Sequence, residues 1–157
     1  MSFIEDIKAK AKSNLQTIVL PESYDERMLF AAEKVTEQGL AKIVILGDPA
    51  KVKADAAAKN VSLNGVEILN PATAPKLDAY ADALVELRKK KCLSRPDALK
   101  LLTAPDNLFF AGMMVKLKDV DGCVAGATST TGSVTFASVP LKDLARLRLE
   151  IALPQDS

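Results

Sequence analysis

The feature that most constrains this chain is a repeated alternation. Thr17-Ile18-Val19-Leu20 is a short β-branched run stopped by Pro21, which predicts a buried strand. From Tyr24 to Gln38 the apolar positions Met28, Ala31, Ala32 and Val35 keep helical spacing, and Gly39 ends the segment. Lys42 to Leu46 is a second buried strand, closed by Gly47-Asp48-Pro49. Pro49 opens a helix running to about Asn60, and Val66 to Leu69 is a third strand. Strand and helix in alternation predict crossovers and a parallel sheet. The expected fold class is α/β, a three-layer sandwich around a mostly parallel sheet.

The flanking segments agree. Ser2 and Glu5 have capping-box spacing before a helix carrying Ile4, Ile7 and Ala11 on one face. A long helix follows the third strand, with Leu77, Tyr80, Leu84 and Leu87 on one face and Arg88-Lys89-Lys90-Lys91 at its end. Ser94, Pro96 and Asp97 start a short helix. Another begins near Pro105 and, with Leu108, Phe109, Met113, Met114 and Leu117, is largely buried. Gly122 to Gly126 is the fourth expected strand. Beyond it a helix over Ser133 to Val139 is interrupted by Pro140, and Leu141 to Leu153 gives an amphipathic helix.

Composition narrows function. The chain has 157 residues, one domain's worth. Its 21 basic and 20 acidic residues leave a net charge of +1, so there is no global field to grip nucleic acid or a membrane. It has no histidine, which removes the Ser-His-Asp triad and most zinc and iron sites. The two cysteines, Cys92 and Cys123, are far apart and read as reduced and structural. The start of the chain has no signal-peptide pattern. No stretch approaches the ~20 apolar residues that cross a bilayer. A cytoplasmic protein with no metal is expected.

Three segments can carry chemistry. Gly126-Ala127-Thr128-Ser129-Thr130-Thr131-Gly132 runs from a strand into a helix, where open α/β sheets bind ligands. Its amides, hydroxyls and the helix N-terminus suit phosphate or carboxylate, and equally suit a polar turn that caps the helix. It lacks the Gly-Lys-Thr ending of a Walker loop. Leu20 to Arg27 also joins a strand to a helix and is expected at the same sheet edge. Arg27 can reach an anion, while Asp25 and Glu26 suit a capping segment. Arg88 to Lys91 is a local basic patch, and also what a last helical turn prefers. No Gly-x-Gly-x-x-Gly follows any strand, and no carboxylate pair flanked by aromatics suggests a glycosidase.

Taken in order, several motifs resemble a known family. These are Val19-Leu20-Pro21-Glu22 with Asp25 and Arg27, Glu86 to Lys91, Ala111 to Lys116, Asp121 to Ala127, and Ser129-Thr130-Thr131-Gly132. Together, over Phe3 to Gly132, they resemble the amino-terminal part of the phosphate acetyltransferases (phosphotransacetylases), within the phosphate acetyl/butyryl transferases. The resemblance implies interconversion of acetyl-CoA and phosphate with acetyl phosphate and CoA. It implies direct attack of the CoA thiolate on the acyl carbonyl, with CoA as substrate and no cofactor or metal. The partners it implies are small molecules, with a homodimer for the full-length proteins and a site between two α/β domains. Ser129, Thr130, Thr131 and Gly132 are implied to bind substrate phosphate, with Arg27 facing the same cleft. Arg88 and Lys89 are implied to contact CoA.

The resemblance also sets expectations where it fails. Residues 1–132 are expected to form the amino-terminal α/β domain. Residues 133–157 read as a divergent tail, as a frameshift or an early stop would leave. Phe136 stands where a CoA-associated arginine is expected. The catalytic residues, on a Ser-Arg-Gly segment and a later aspartate, have no counterpart in this sequence. The sandwich is thus expected to be incomplete relative to the two-domain family fold. A competing expectation is a non-catalytic phosphate- or CoA-binding remnant or assembly module. A flavodoxin-like signalling domain would instead need an acidic pocket at the strand ends.

Overall fold

The computed structural model describes residues 2–129 and 133. Thr130, Thr131, Gly132 and the expected tail helices lie outside the described residues, Ser133 aside.

Four parallel strands form one sheet in the order β3-β2-β1-β4. They are β1 (Thr17–Leu20), β2 (Lys42–Leu46), β3 (Glu67–Leu69) and β4 (Gly122–Cys123). β1 is central: Val19 pairs with Val44 on one side and with Cys123 on the other. The connecting helices are α1 (Phe3–Ser13), α2 (Glu26–Glu37), α3 (Pro49–Ala58), α4 (Leu77–Leu87), α5 (Arg95–Leu102) and α6 (Leu108–Lys116).

Alternating strand residues serve opposite faces, because successive side chains of a strand point to opposite sides. Val19, Val44 and Leu46 pack with Tyr80, Leu84, Leu102 and Phe110 from α4, α5 and α6. Leu20, Ile43 and Ile45 pack with Met28, Leu29, Ala32, Val52 and Ala56 from α2 and α3. The result is the expected three-layer sandwich, with an all-parallel sheet. α6 is buried from Leu108 to Val115, so it forms the centre of its layer. Tyr80 and Phe110 meet at 4.9 Å between ring centroids, tilted by 57°, an arrangement that adds about 0.5–1.5 kcal/mol beyond burial.

The caps explain where helices start. Ser2 and Glu5 form the capping box. Asp25, Asp48 and Ser94 each accept an amide from the first turn of α2, α3 and α5. α2 therefore begins at Glu26 rather than Tyr24. α4 ends at Leu87, and Lys89–Lys91 form a 3₁₀ turn before Cys92 takes a left-handed conformation. α6 begins at Leu108 because Asn107 before it is left-handed, with φ 57°. β4 is shorter than expected. Val124 still donates to the Val19 carbonyl, but the chain then leaves the ladder, and Gly126 adopts φ 104°, a conformation that favours glycine.

Candidate active site

The sheet order reverses between β1 and β4. In an open parallel sheet, such a switch point at the carboxyl ends of the strands is where ligands bind. The connection after β1, Pro21 to Asp25, and the connection after β4, Val124 to Ser129, flank that point. Both were singled out in the sequence, and the structure brings them together.

The joint is made by Glu22. Its side chain is fully buried and accepts the amides of Gly126 and Ala127 on one oxygen, at 2.9 and 2.8 Å. The other oxygen accepts the amides of Thr128 and Ser129, at 3.1 and 2.7 Å, and the Thr128 hydroxyl at 3.3 Å. A carboxylate taken out of water is costly unless its lone pairs are filled. Burial pushes the Glu22 pKa up, but the hydrogen bonds from Ser129, Ala127 and Thr128 outweigh it and hold it below the usual glutamate value. The backbone donors that suit a phosphate are thus spent on a residue of the chain itself.

Arg27 closes the joint from outside. Its guanidinium holds Asp25 through Nε and Nη2 and donates from Nη2 to the Ala127 carbonyl at 2.7 Å. The hydrogen bond and charge of Asp25 raise its pKa, and Arg27 in turn lowers that of Asp25. The Arg27 side chain remains 61% exposed, so it borders open solvent next to the loop. The Tyr24 hydroxyl lies 3.5 Å from Ser129 Oγ. Beside these loops are a cleft of about 200 Å³, bordered by Ser23, Gly47, Asn70 and Asn107, and one of about 580 Å³, bordered by Tyr24, Glu26, Lys59 and Thr128.

The basic segment sits elsewhere. Arg88 caps the end of α4, is buried, and places its guanidinium 5.1 Å from the Phe109 ring centroid. Lys89 is exposed, 4.0 Å from Glu86. Cys92 is exposed, while Cys123 is partly buried, with its thiol pKa pushed up to about 12 by burial and by the charge of Glu22. Among the described residues no helix is long and apolar enough to cross a membrane.

Two residues of this region had no role assigned from the sequence. Glu22 is one; it stands directly after a strand-ending proline, inside the Val19-Leu20-Pro21-Glu22 motif. Asn107 is the other. It is buried, and its amide donates to the carbonyls of Pro21 and Leu46, tying α6 to the ends of β1 and β2.

A sequence model of phosphate acetyl/butaryl transferase matches residues 2–141. The chain belongs to that family. The match extends past Gly132, where the motif resemblance stopped. Residues of the chain are 41% identical over 133 positions to a phosphate acetyltransferase of Acetivibrio thermocellus, covering 85% of this chain and 39% of that protein. The counterpart from Clostridium acetobutylicum is 39% identical over 134 positions, covering 85% and 40%. A phosphotransacetylase structure from Streptococcus pyogenes superposes with a TM-score of 0.80 at 31% identity, covering 87% of this chain and 42% of that one. One from Staphylococcus aureus gives 0.77 at 31% identity, covering 87% and 41%. The chain therefore spans about two fifths of the length of these transferases.

Proposed function

We propose that this chain supplies one wall of a phosphate acetyltransferase site, for the reaction acetyl-CoA plus phosphate to acetyl phosphate plus CoA. The observation that supports the reading is the pairing of the β1 and β4 connections at the switch point, with an exposed arginine on the outer side. In this reading the reaction runs in both directions, and toward acetyl-CoA the CoA thiolate attacks the acetyl carbonyl of acetyl phosphate. A C–S bond forms, the C–O bond to phosphate breaks, and phosphate leaves with the electron pair. Arg27 and the hydroxyls of Ser129, Thr130 and Thr131, with Gly132 beside them, take the phosphate. Such donors also offset charge developing on the carbonyl oxygen. Lys89 meets the CoA phosphates, and Arg88 holds the segment that carries it. Cys123, held as a thiol, takes no part. Pairing into a homodimer belongs to the same proposal.

No segment of these 157 residues matches the family's Ser-Arg-Gly segment, so the polypeptide is expected to bind phosphate and CoA without turnover. Calorimetric titration with inorganic phosphate checks the first part. Ser129→Ala and Arg27→Ala should each weaken phosphate by about tenfold, the size of one lost charge-assisted contact. Equal affinity in all three proteins would sink the assignment. A coupled assay with acetyl phosphate and CoA checks the second. A rate above that of a Ser129→Ala/Thr130→Ala double variant would overturn the expected inactivity.

A further inference from the structure

We infer that Glu22 is a positioning residue, whose buried carboxylate fixes the loop Gly126–Ser129, and with it the place of Arg27, for a phosphoryl ligand. The inference rests on the phosphate reading of that loop.

Successive backbone amides pointing at one spot form an anion site. In this chain the anion is internal. Glu22 gathers the amides of Gly126, Ala127, Thr128 and Ser129, all within 3.1 Å. It has no exposed surface, so an incoming phosphate cannot use those donors without expelling it. The Thr128 and Ser129 side chains also hydrogen-bond Glu22, so recognition must fall on Arg27, which faces solvent beside the loop. What Glu22 supplies is the placement of the loop on which Arg27 is held. Arg27 adds a second clamp by holding the Ala127 carbonyl while braced on Asp25. The first clamp comes from the connection that follows β1 and the second from the first turn of α2. Together they template a loop 100 or more residues away in the chain.

The consequence is selective. Phosphate affinity depends on where the loop holds Arg27, and one lost charge-assisted contact is worth about tenfold. A ligand held at Lys89 does not rest on this loop. Glu22→Gln keeps the volume but turns one acceptor into an NH₂ donor aimed at amide donors. Glu22→Asp keeps both acceptors on a shorter stem.

The experiment uses the whole 157-residue chain, labelled with nitrogen-15. In an acid titration of the unmodified protein, the amide signals of Gly126, Ala127, Thr128 and Ser129 should move in one common step, with a midpoint below the ordinary glutamate range. The charges that face Glu22 and shape that midpoint are Arg27, with Asp25 behind it; the Cys123 thiol stays neutral there. Glu22→Gln should abolish the step and weaken inorganic phosphate by about tenfold, the size of one charge-assisted contact. CoA affinity should be unchanged, and Glu22→Asp should restore part of the phosphate affinity. No common step, or equal phosphate affinity in the unmodified protein and Glu22→Gln, overturns the inference. If Glu22→Gln does not fold, Glu22→Asp decides: intermediate phosphate affinity supports the inference and full affinity overturns it. If the unmodified chain shows the common step but binds no phosphate, the phosphate reading fails and Glu22 stands as the strut of the loop.

Discussion

The guanidinium of Arg88 lies 5.1 Å from the centre of the Phe109 ring, and both side chains are buried. A basic run that looks like a solvated helix end thus begins with a cation packed on an aromatic face. Burial lowers the Arg88 pKa, but an arginine remains charged throughout the accessible range. Arg88→Ala should therefore lower the unfolding free energy by about 1–2 kcal/mol, from the lost cation–π contact and the lost packing of its stem. Lys89→Ala, at an exposed site, should change stability by less than about 0.5 kcal/mol. Both should weaken CoA binding, Lys89→Ala by removing a charge and Arg88→Ala by loosening the turn that carries Lys89. Urea denaturation and CoA calorimetry on the two variants separate the cases. An Arg88→Ala protein of full stability would mean that the contact with Phe109 contributes nothing.

Asn107 links three elements through one amide group. Its Nδ2 lies 3.1 Å from the Pro21 carbonyl and 3.4 Å from that of Leu46, and its backbone has φ 57°. Asparagine tolerates that conformation better than most residues. Asn107→Ala should cost about 1–3 kcal/mol, because two buried carbonyls lose a donor. Asn107→Asp keeps the shape but faces a carboxylate with two carbonyl oxygens, so it should cost more than the alanine. Urea midpoints at neutral pH give the order. An aspartate variant as stable as the parent would show that the amide is not the tie.

The sandwich was legible because its causes are local. β-branched runs such as Ile43-Val44-Ile45, bounded by Gly47 and Pro49, mark strands, and Asp48 and Ser94 mark helix starts through bonds a few residues long. The meeting of the Pro21 and Gly126 loops was also legible, since both follow parallel strands. What fills the loop was not. Glu22 and Gly126 are 104 residues apart in the chain, and no local pattern says that a carboxylate will occupy the amides. Nor does a run of four basic residues say that its first member is buried. α6 turns Phe109 toward the end of α4 only once the sheet has placed both helices. In each case tertiary geometry overrode the ordinary preference of a charged side chain for water.

Tyr80 and Lys76 both donate to the carboxylate of Asp119, and the three groups should give the fold two pH limits. Burial, with the hydrogen bond and charge of Asp119, raises the Tyr80 pKa above the ordinary tyrosine range. A raised value in the folded state favours the neutral hydroxyl there. Its contribution is whole below the unfolded value, about 10, and is lost as pH rises from there toward the folded value. Asp119 behaves the opposite way. Burial opposes its ionisation, but the hydrogen bonds from Lys76 and Tyr80 prevail and its pKa is lowered. Its contribution is whole above the unfolded value, about 3.9, and is lost as pH falls through the lower folded value. The stability difference between the parent protein and Tyr80→Phe should therefore be flat from pH 5 to pH 9 and shrink above about pH 10. The difference from Asp119→Asn should be flat over the same range and shrink below about pH 4. Urea denaturation across a pH series measures both. Lys76 is mostly exposed, so Lys76→Ala should lose little and lose it first in added salt. If Tyr80→Phe loses stability above pH 10 as steeply as the parent, another group sets the alkaline limit.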